Sequence, residues 1–368
     1  MASSTFQFSR LGTYILSTSE NKVSFSPASL PSSKLDVTRS QREFKANFEH
    51  GRYQECCNCR GECHTCKNLL QLYPKTSQAA GDLGEPVLKA LVNSGKFNVT
   101  VLVRSASKNS FPLPVEAIEV DFTSVESLTK ALNGQDALVS TVGISGLEGQ
   151  TIMIDACVAA GVSRFLPSEF GSDLDNPMVK ALPVFGYKVA VNKYAEEKAR
   201  ENPEFSYTKI RNAAFLDWGL EHSFIFDLKS GKPRIYDSGD QLFSATTLAT
   251  VGQVVVGVLS NPEETKNRVM RVHDINISQN RILQIARKVA PSTTFEPYYA
   301  STAEILKDAY EKIGKGDYSL PVMLDFIIGS IFAEGSDGLH DSDDDNKLLG
   351  IAGKTDGDVE AIVKSLLA

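Results

Sequence analysis

The sequence predicts an α/β fold built on a doubly wound parallel sheet, and three observations predict it. From residue 81 onward, short β-branched runs alternate with stretches of helical period. The first clear run, residues 99–103 (VTVLV), is mostly apolar, as a strand covered on both faces requires. Glycines stand where the chain enters the first helix, and strands paced by helices in this way form parallel sheets.

Each element has its own signal. Residues 85–94 place Val87, Leu88, Leu91 and Val92 on one helix face, and Gly95 closes that helix. Residues 99–103 and 117–120 are the next two strands. Thr123-Ser-Val-Glu126 reads as a capping box for a helix ending near residues 132–134. Residues 137–142 form a strand and 151–160 a helix closed by Gly161. Residues 164–167 and 206–210 are strands that bracket a helix at about 185–200. The second half is less regular, with helices over 248–259, 279–290, 303–313, 322–332 and 358–367. These are expected to form a smaller, mostly helical C-terminal lobe.

Composition narrows the function classes. The chain has 368 residues, 42% hydrophobic and 23% charged, which suits a soluble globular protein with a sizeable core. Its formal net charge of −7 argues against nucleic acid as the main partner. No apolar run reaches the length of a membrane span: residues 320–332 are too few and include Asp325. No membrane partner is expected. Five of the six cysteines lie between Cys56 and Cys66, and only Cys157 lies in the rest of the chain, so the main body reads as reduced and cytoplasmic.

Residues 1–76 have a different character. Their start is rich in serine, with Glu20 as the one acid among the first 34 residues and Arg10, Lys22 and Lys34 as the cations. It is expected to be a disordered extension, with a leader peptide and a mis-assigned start as the alternatives. Cys56/Cys59 and Cys63/Cys66 form two C-x-x-C pairs, but only three residues separate them, too few for the usual structural zinc site. Near the other end, LHDSDDDNK (residues 339–347) lacks the glycine and terminal glutamate of a calcium loop and reads as a solvated acidic loop. No metal site is expected.

A dinucleotide site needs glycines where a strand hands over to a helix, because the backbone must approach the pyrophosphate at the helix N-terminus. Gly81-Asp82-Leu83-Gly84 stands directly before the first helix and supplies two of the three glycines of a G-x-x-G-x-x-G turn. Gln78 occupies the first position, and the strand ahead of the turn, at about residues 69–73, is followed by Pro74. An acid at the end of the second strand would bind the ribose hydroxyls of NAD. Here Arg104 stands there instead, with Lys108 four residues on, which suits the 2′-phosphate of NADP.

The segments GDLGEPVLKALVNSG, VTVLVR, DALVSTVG, RFLPSEFGSD, PVFGYK and YTKIRNAAFLDWG, in that order, carry a family resemblance. Together they resemble the NmrA-like and isoflavone reductase-like family, an atypical branch of the short-chain dehydrogenases, in its fungal form. The resemblance spans Gly81 to the C-terminus. It implies a Rossmann-type NADP-binding core (residues 77–215) and a substrate-binding region (216–368), and hydride transfer to a small carbonyl, enone or phenylpropanoid-like substrate. The family's F-x-x-K lysine falls on Lys188 in Phe185-Gly-Tyr-Lys188, which would relay the accompanying proton.

Val142 and Gly143 after the fourth strand, and Ser168, Glu169 and Phe170 after the fifth, are expected to line the cofactor. Tyr194-Ala-Glu-Glu-Lys198 offers a rival Y-x-x-x-K acid/base pair on one helix face. NmrA-like proteins can also be cofactor-sensing regulators with a protein partner. A cofactor site left incomplete at its first glycine would instead mean an inactive product.

Overall fold

The computed structural model describes residues 68–72, 82–104, 115–336, 338–340 and 345–367. Gly81, Lys108, the cysteine cluster and the serine-rich start lie outside the described residues. All described residues belong to one compact unit, Cys63–Ala368.

The order of elements begins β1 (Asn68–Leu72), α1 (Gly84–Ser94), β2 (Asn98–Val103), β3 (Glu116–Glu119) and α2 (Val125–Leu132). It continues with β4 (Ala137–Val139), α3 (Gln150–Ala160), β5 (Arg164–Leu166), α4 (Pro177–Lys180), α5 (Gly186–Glu201) and β6 (Ser206–Arg211). Then follow β7 (Ala214–Phe215), α6 (Leu216–Glu221), β8 (Arg234–Tyr236), β9 (Phe243–Thr246), α7 (Leu248–Ser260) and β10 (Arg268–Arg271). The chain closes with β11 (Ile275–Ile277), α8 (Gln279–Val289), β12 (Tyr298–Ala300), α9 (Thr302–Gly314), α10 (Leu320–Phe332), α11 (Asn346–Leu349) and α12 (Asp356–Leu367).

Seven strands form one sheet in the order β10-β6-β5-β4-β1-β2-β3, and every pair in it is parallel. That is the doubly wound arrangement expected from the alternation of elements. The order reverses between β1 and β4, the point where such sheets open a crevice for ligands. β1 lies upstream of residue 77, so the sheet draws a central strand from the stretch assigned to the N-terminal extension.

Side-chain alternation along the strands divides the core. Ala137 and Val139 of β4 face a cluster with Val87 and Leu91 of α1 and Val251, Val254 and Val255 of α7. Leu138 faces the other way, among Leu128 of α2, Ile154 and Cys157 of α3 and Ala195 of α5. Gly252 makes the α1–α7 approach possible: a Cβ there would sit 2.7 Å from the Pro86 carbonyl and 2.8 Å from Ala90 Cβ. The α1 helix ends as expected, on Gly95 at φ 64°.

One expectation needs correction. The residue capping α2 is Ser124, whose hydroxyl accepts from Ser127 N, and not Thr123. Thr123 instead donates its N–H and hydroxyl to Asp121, so the side chain that would cap one residue earlier is already engaged. The C-terminal half is mostly helical, as expected, with α6 to α12 outweighing the five short strands β8 to β12. It returns α7 and β10 to the Rossmann layer and adds small sheets, β11-β9-β7 and β12-β8, over a separate core around Phe243, Tyr236 and Phe332. The apolar matching of α7 to α1 and of Met270 to Ile210 explains the return.

Candidate active site

In the parallel sheet the carboxyl ends of β6, β5, β4 and β1 lie side by side, and the turns leaving them gather the candidate residues. On the β1 side, eleven residues (73–83) lead to α1, a longer passage than a tight strand-to-helix turn. Leu83 stands at the helix N-cap, where its apolar side chain makes no capping hydrogen bond. Gly84 opens the helix and is buried. A helix N-terminus that follows the central strand of the sheet suits a phosphate group. Asp82 accepts a hydrogen bond from Trp218 Nε1 at 2.7 Å, so α6 holds this turn from outside. Arg104 is exposed and follows directly on β2, the neighbour of β1.

The exits of β4 and β5 are locked together. The Ser168 hydroxyl donates to the Val142 carbonyl at 2.7 Å, and Ser168 N donates to Gln150 Oε1 at 2.7 Å. Val142 is buried, and Gly143 precedes a 3-10 turn, Ile144–Gly146. Glu169 is 3% exposed and turns its carboxylate inward. Its Oε1 accepts from Asn192 Nδ2 at 2.8 Å and its Oε2 from Arg211 Nε at 3.2 Å. Phe170 is buried at φ 28°, in the left-handed region that non-glycine residues rarely enter. Ala213, at φ 55°, donates its N–H at 3.0 Å to the carbonyl of Gly171, the residue that follows Phe170.

Lys188 lies in the first turn of α5 and is part-buried. Its Nζ donates to the Glu169 carbonyl and sits 6.0 Å from the centre of the Phe185 ring. Burial lowers the ammonium below the ordinary lysine value; the Glu169 charge opposes this and the Arg211 charge adds to it. Asn192 is one helical turn further on, on the same face.

Beyond Glu169 an ion network extends to the sheet edge. Arg211 meets Asp173 and Asp175, the latter at 2.7 Å. Arg271 of β10 reaches Asp173 at 2.7 Å and Asp175 at 2.6 Å. With Lys188, three cations face three carboxylates.

The rival pair points elsewhere. Tyr194 donates its hydroxyl to Asp155 of α3 at 2.6 Å, and Lys198 Nζ lies 3.3 Å from the same carboxylate. Both side chains are thus engaged against α3 and apart from the Lys188–Glu169 contact. Tyr187 is exposed beside Lys188. No local motif marks Asn192, Arg211 or Trp218 as site residues. Arg211 did carry one signal: a cation ending the buried run of β6 has to be matched by a carboxylate. A broad concavity runs along α1, α6 and α7 past Asp82 and Trp218, and it is lined by none of Val142, Ser168, Glu169 or Lys188.

A family model described as NAD(P)H-binding matches residues 79–262. The chain is 35% identical over 277 residues to the oxidoreductase poxI of Penicillium oxalicum, covering 73% of this chain and 85% of that protein. It is 27% identical over 244 residues to the isoflavone reductase of Cicer arietinum, covering 64% of this chain and 73% of that one. The solved complex of Vitis vinifera leucoanthocyanidin reductase with NADPH superposes with a TM-score of 0.64 at 18% identity, over 82% of this chain and 100% of that one, and so shares the fold. Among the described residues no helix is long and apolar enough to cross a membrane. The chain is a member of the isoflavone reductase-like family of NAD(P)H-binding oxidoreductases.

Proposed function

We propose that the protein is an NADPH-dependent reductase that delivers hydride to a small carbonyl, enone or phenylpropanoid-like substrate, with Lys188 managing the accompanying proton. The observation that carries this reading is the position of Lys188: its amine hangs from the Glu169 carbonyl, where the exits of β4 and β5 are bonded together. An ammonium whose pKa is lowered by burial releases its proton more readily than a solvated one. Bound nicotinamide supplies the hydride. Gly81, Asp82, Leu83 and Gly84 would hold the pyrophosphate at the start of α1, and Arg104 with Lys108 the 2′-phosphate. Val142, Gly143, Ser168, Glu169 and Phe170 would form the wall between adenosine and nicotinamide. Glu169 would serve there through its backbone, because its carboxylate faces Asn192 and Arg211.

The test is a calorimetric titration of the full chain with NADPH and NADH, followed by turnover of a carbonyl and enone panel with Lys188→Ala as control. Binding with Lys188-dependent turnover supports the proposal. One observation favours a second reading, a chain that binds cofactor too weakly to turn over: Gln78 stands at the first glycine position, within the long connection 73–83. Absence of binding at millimolar NADPH would select that reading. Binding without any turnover across the panel would select an NADP(H)-sensing regulator with a protein partner.

A further inference from the structure

We propose that Glu169 is a positioning residue for Lys188: its carboxylate, clamped by Asn192 and Arg211, fixes the peptide carbonyl that holds the lysine amine. The proposal rests on the reading of Lys188 as the proton-handling group. A lysine side chain rotates freely about several bonds, so a single hydrogen bond holds it only if the acceptor is itself immobile.

The Glu169 carbonyl meets that condition. On its N-terminal side, Glu169 N donates to the Pro167 carbonyl at 2.8 Å, while Ser168 is bonded to both Gln150 and Val142. On its C-terminal side, Phe170 is buried in a strained backbone conformation. The side chain of Glu169 supplies the remaining ties, to α5 through Asn192 and to the end of β6 through Arg211.

Asn192 and Lys188 are four residues apart on α5, so one residue of the β5 exit grips the same helix face twice, once by its carboxylate and once by its carbonyl. Burying a carboxylate costs several kcal/mol unless it is fully partnered, and an apolar side chain could fill the space at lower cost. What an apolar side chain could not do is hold Asn192 and Arg211 at once or place a negative charge beside the lysine. The charged groups facing Lys188 are Glu169 from the β5 exit and Arg211 from β6. Asp173, Asp175 and Arg271 stand behind Arg211.

Competitive trace labelling of the full chain with acetic anhydride over a pH series, read by peptide mass spectrometry, reports the titration midpoint and reactivity of Lys188 without a substrate. Glu169→Gln is expected to move the midpoint about one pH unit lower, because a charge favouring the ammonium is gone. It should also raise the limiting reactivity several-fold, as the amine comes loose. Asn192→Ala keeps every charge and loosens the clamp, so reactivity should rise with little change in midpoint. Wild-type midpoint and reactivity in Glu169→Gln would overturn the proposal. If that variant does not fold, unchanged reactivity in Asn192→Ala overturns it equally. Undiminished turnover in Lys188→Ala would instead sink the proton-handling role and leave the labelling result standing.

Discussion

Trp218 donates its indole N–H to Asp82 Oδ2 across 2.7 Å, tying α6 to the turn that opens α1. Trp218 is the single tryptophan of the chain and stacks on His222 with ring centres 4.7 Å apart. Dinucleotide binding at this turn is therefore expected to change the intrinsic fluorescence of the protein. Trp218→Phe should weaken NADPH binding several-fold and lower stability by about 1–2 kcal/mol, the loss of a hydrogen bond to a charged group. An NADPH titration that leaves the emission spectrum unchanged while calorimetry shows binding would place the cofactor elsewhere.

Arg104 follows β2 beside the central strand. Arg104→Ala should lower the preference for NADPH over NADH about tenfold or more, since a guanidinium pairs a phosphate and gains nothing from a ribose hydroxyl. Kd values for both cofactors, measured at one salt concentration, give the ratio. An unchanged ratio refutes the 2′-phosphate role.

Tyr194→Phe should leave NADPH binding and turnover at wild-type levels, with a stability cost of about 0.5–1.5 kcal/mol. Its hydroxyl is bonded to Asp155, and burial followed by that bond raises its pKa above the ordinary tyrosine value. Lys188→Ala should remove turnover and spare cofactor binding. The opposite pattern would restore the Y-x-x-x-K mechanism.

Acid should destabilise the fold in two stages. Burial pushes the His340 imidazole down to about 4 from the ordinary histidine value of 6.5, against the pull of Asp173. Its folded pKa lies below the unfolded one, so its contribution is complete above 6.5 and is lost as pH falls toward 4, by about 3 kcal/mol in all. Asp173 and Asp175 follow. Burial opposes their ionisation, but the Arg271 hydrogen bond to Asp173 and the Arg211 hydrogen bond to Asp175, with the charges of both arginines, hold both carboxyls below the aspartate value of 3.8. Their contribution is present above that value and is lost as pH falls through their folded pKa values. His340→Gln should remove the first stage in chemical unfolding at several pH values and leave the second. A single transition in both proteins would contradict the assignment.

The alternation of elements was readable because hydrophobic period is a local property. The helix face through Val87, Leu88 and Leu91 is buried as its spacing requires, and Leu138 and Val139 divide between the two faces of the sheet. β10 was not readable. Its four residues, Arg-Val-Met-Arg, carry a charge at each end, as edge strands do, and only Met270 is buried. The choice of Ser124 over Thr123 as cap depended on which of two similar hydroxyls Asp121 took first.

By itself the sequence determined the α/β class, the family, and the placing of Lys188 at the start of a helix. Only the tertiary structure decided what Lys188 touches. Asn192 and Arg211 lie 23 and 42 residues from Glu169 along the chain, and the three meet because β5, β6 and α5 pack side by side. Polar partners in a buried site are chosen by which strand ends lie adjacent, and no local pattern encodes that. The same holds for Tyr194 and Lys198, whose spacing suited catalysis until α3 brought Asp155 to both of them.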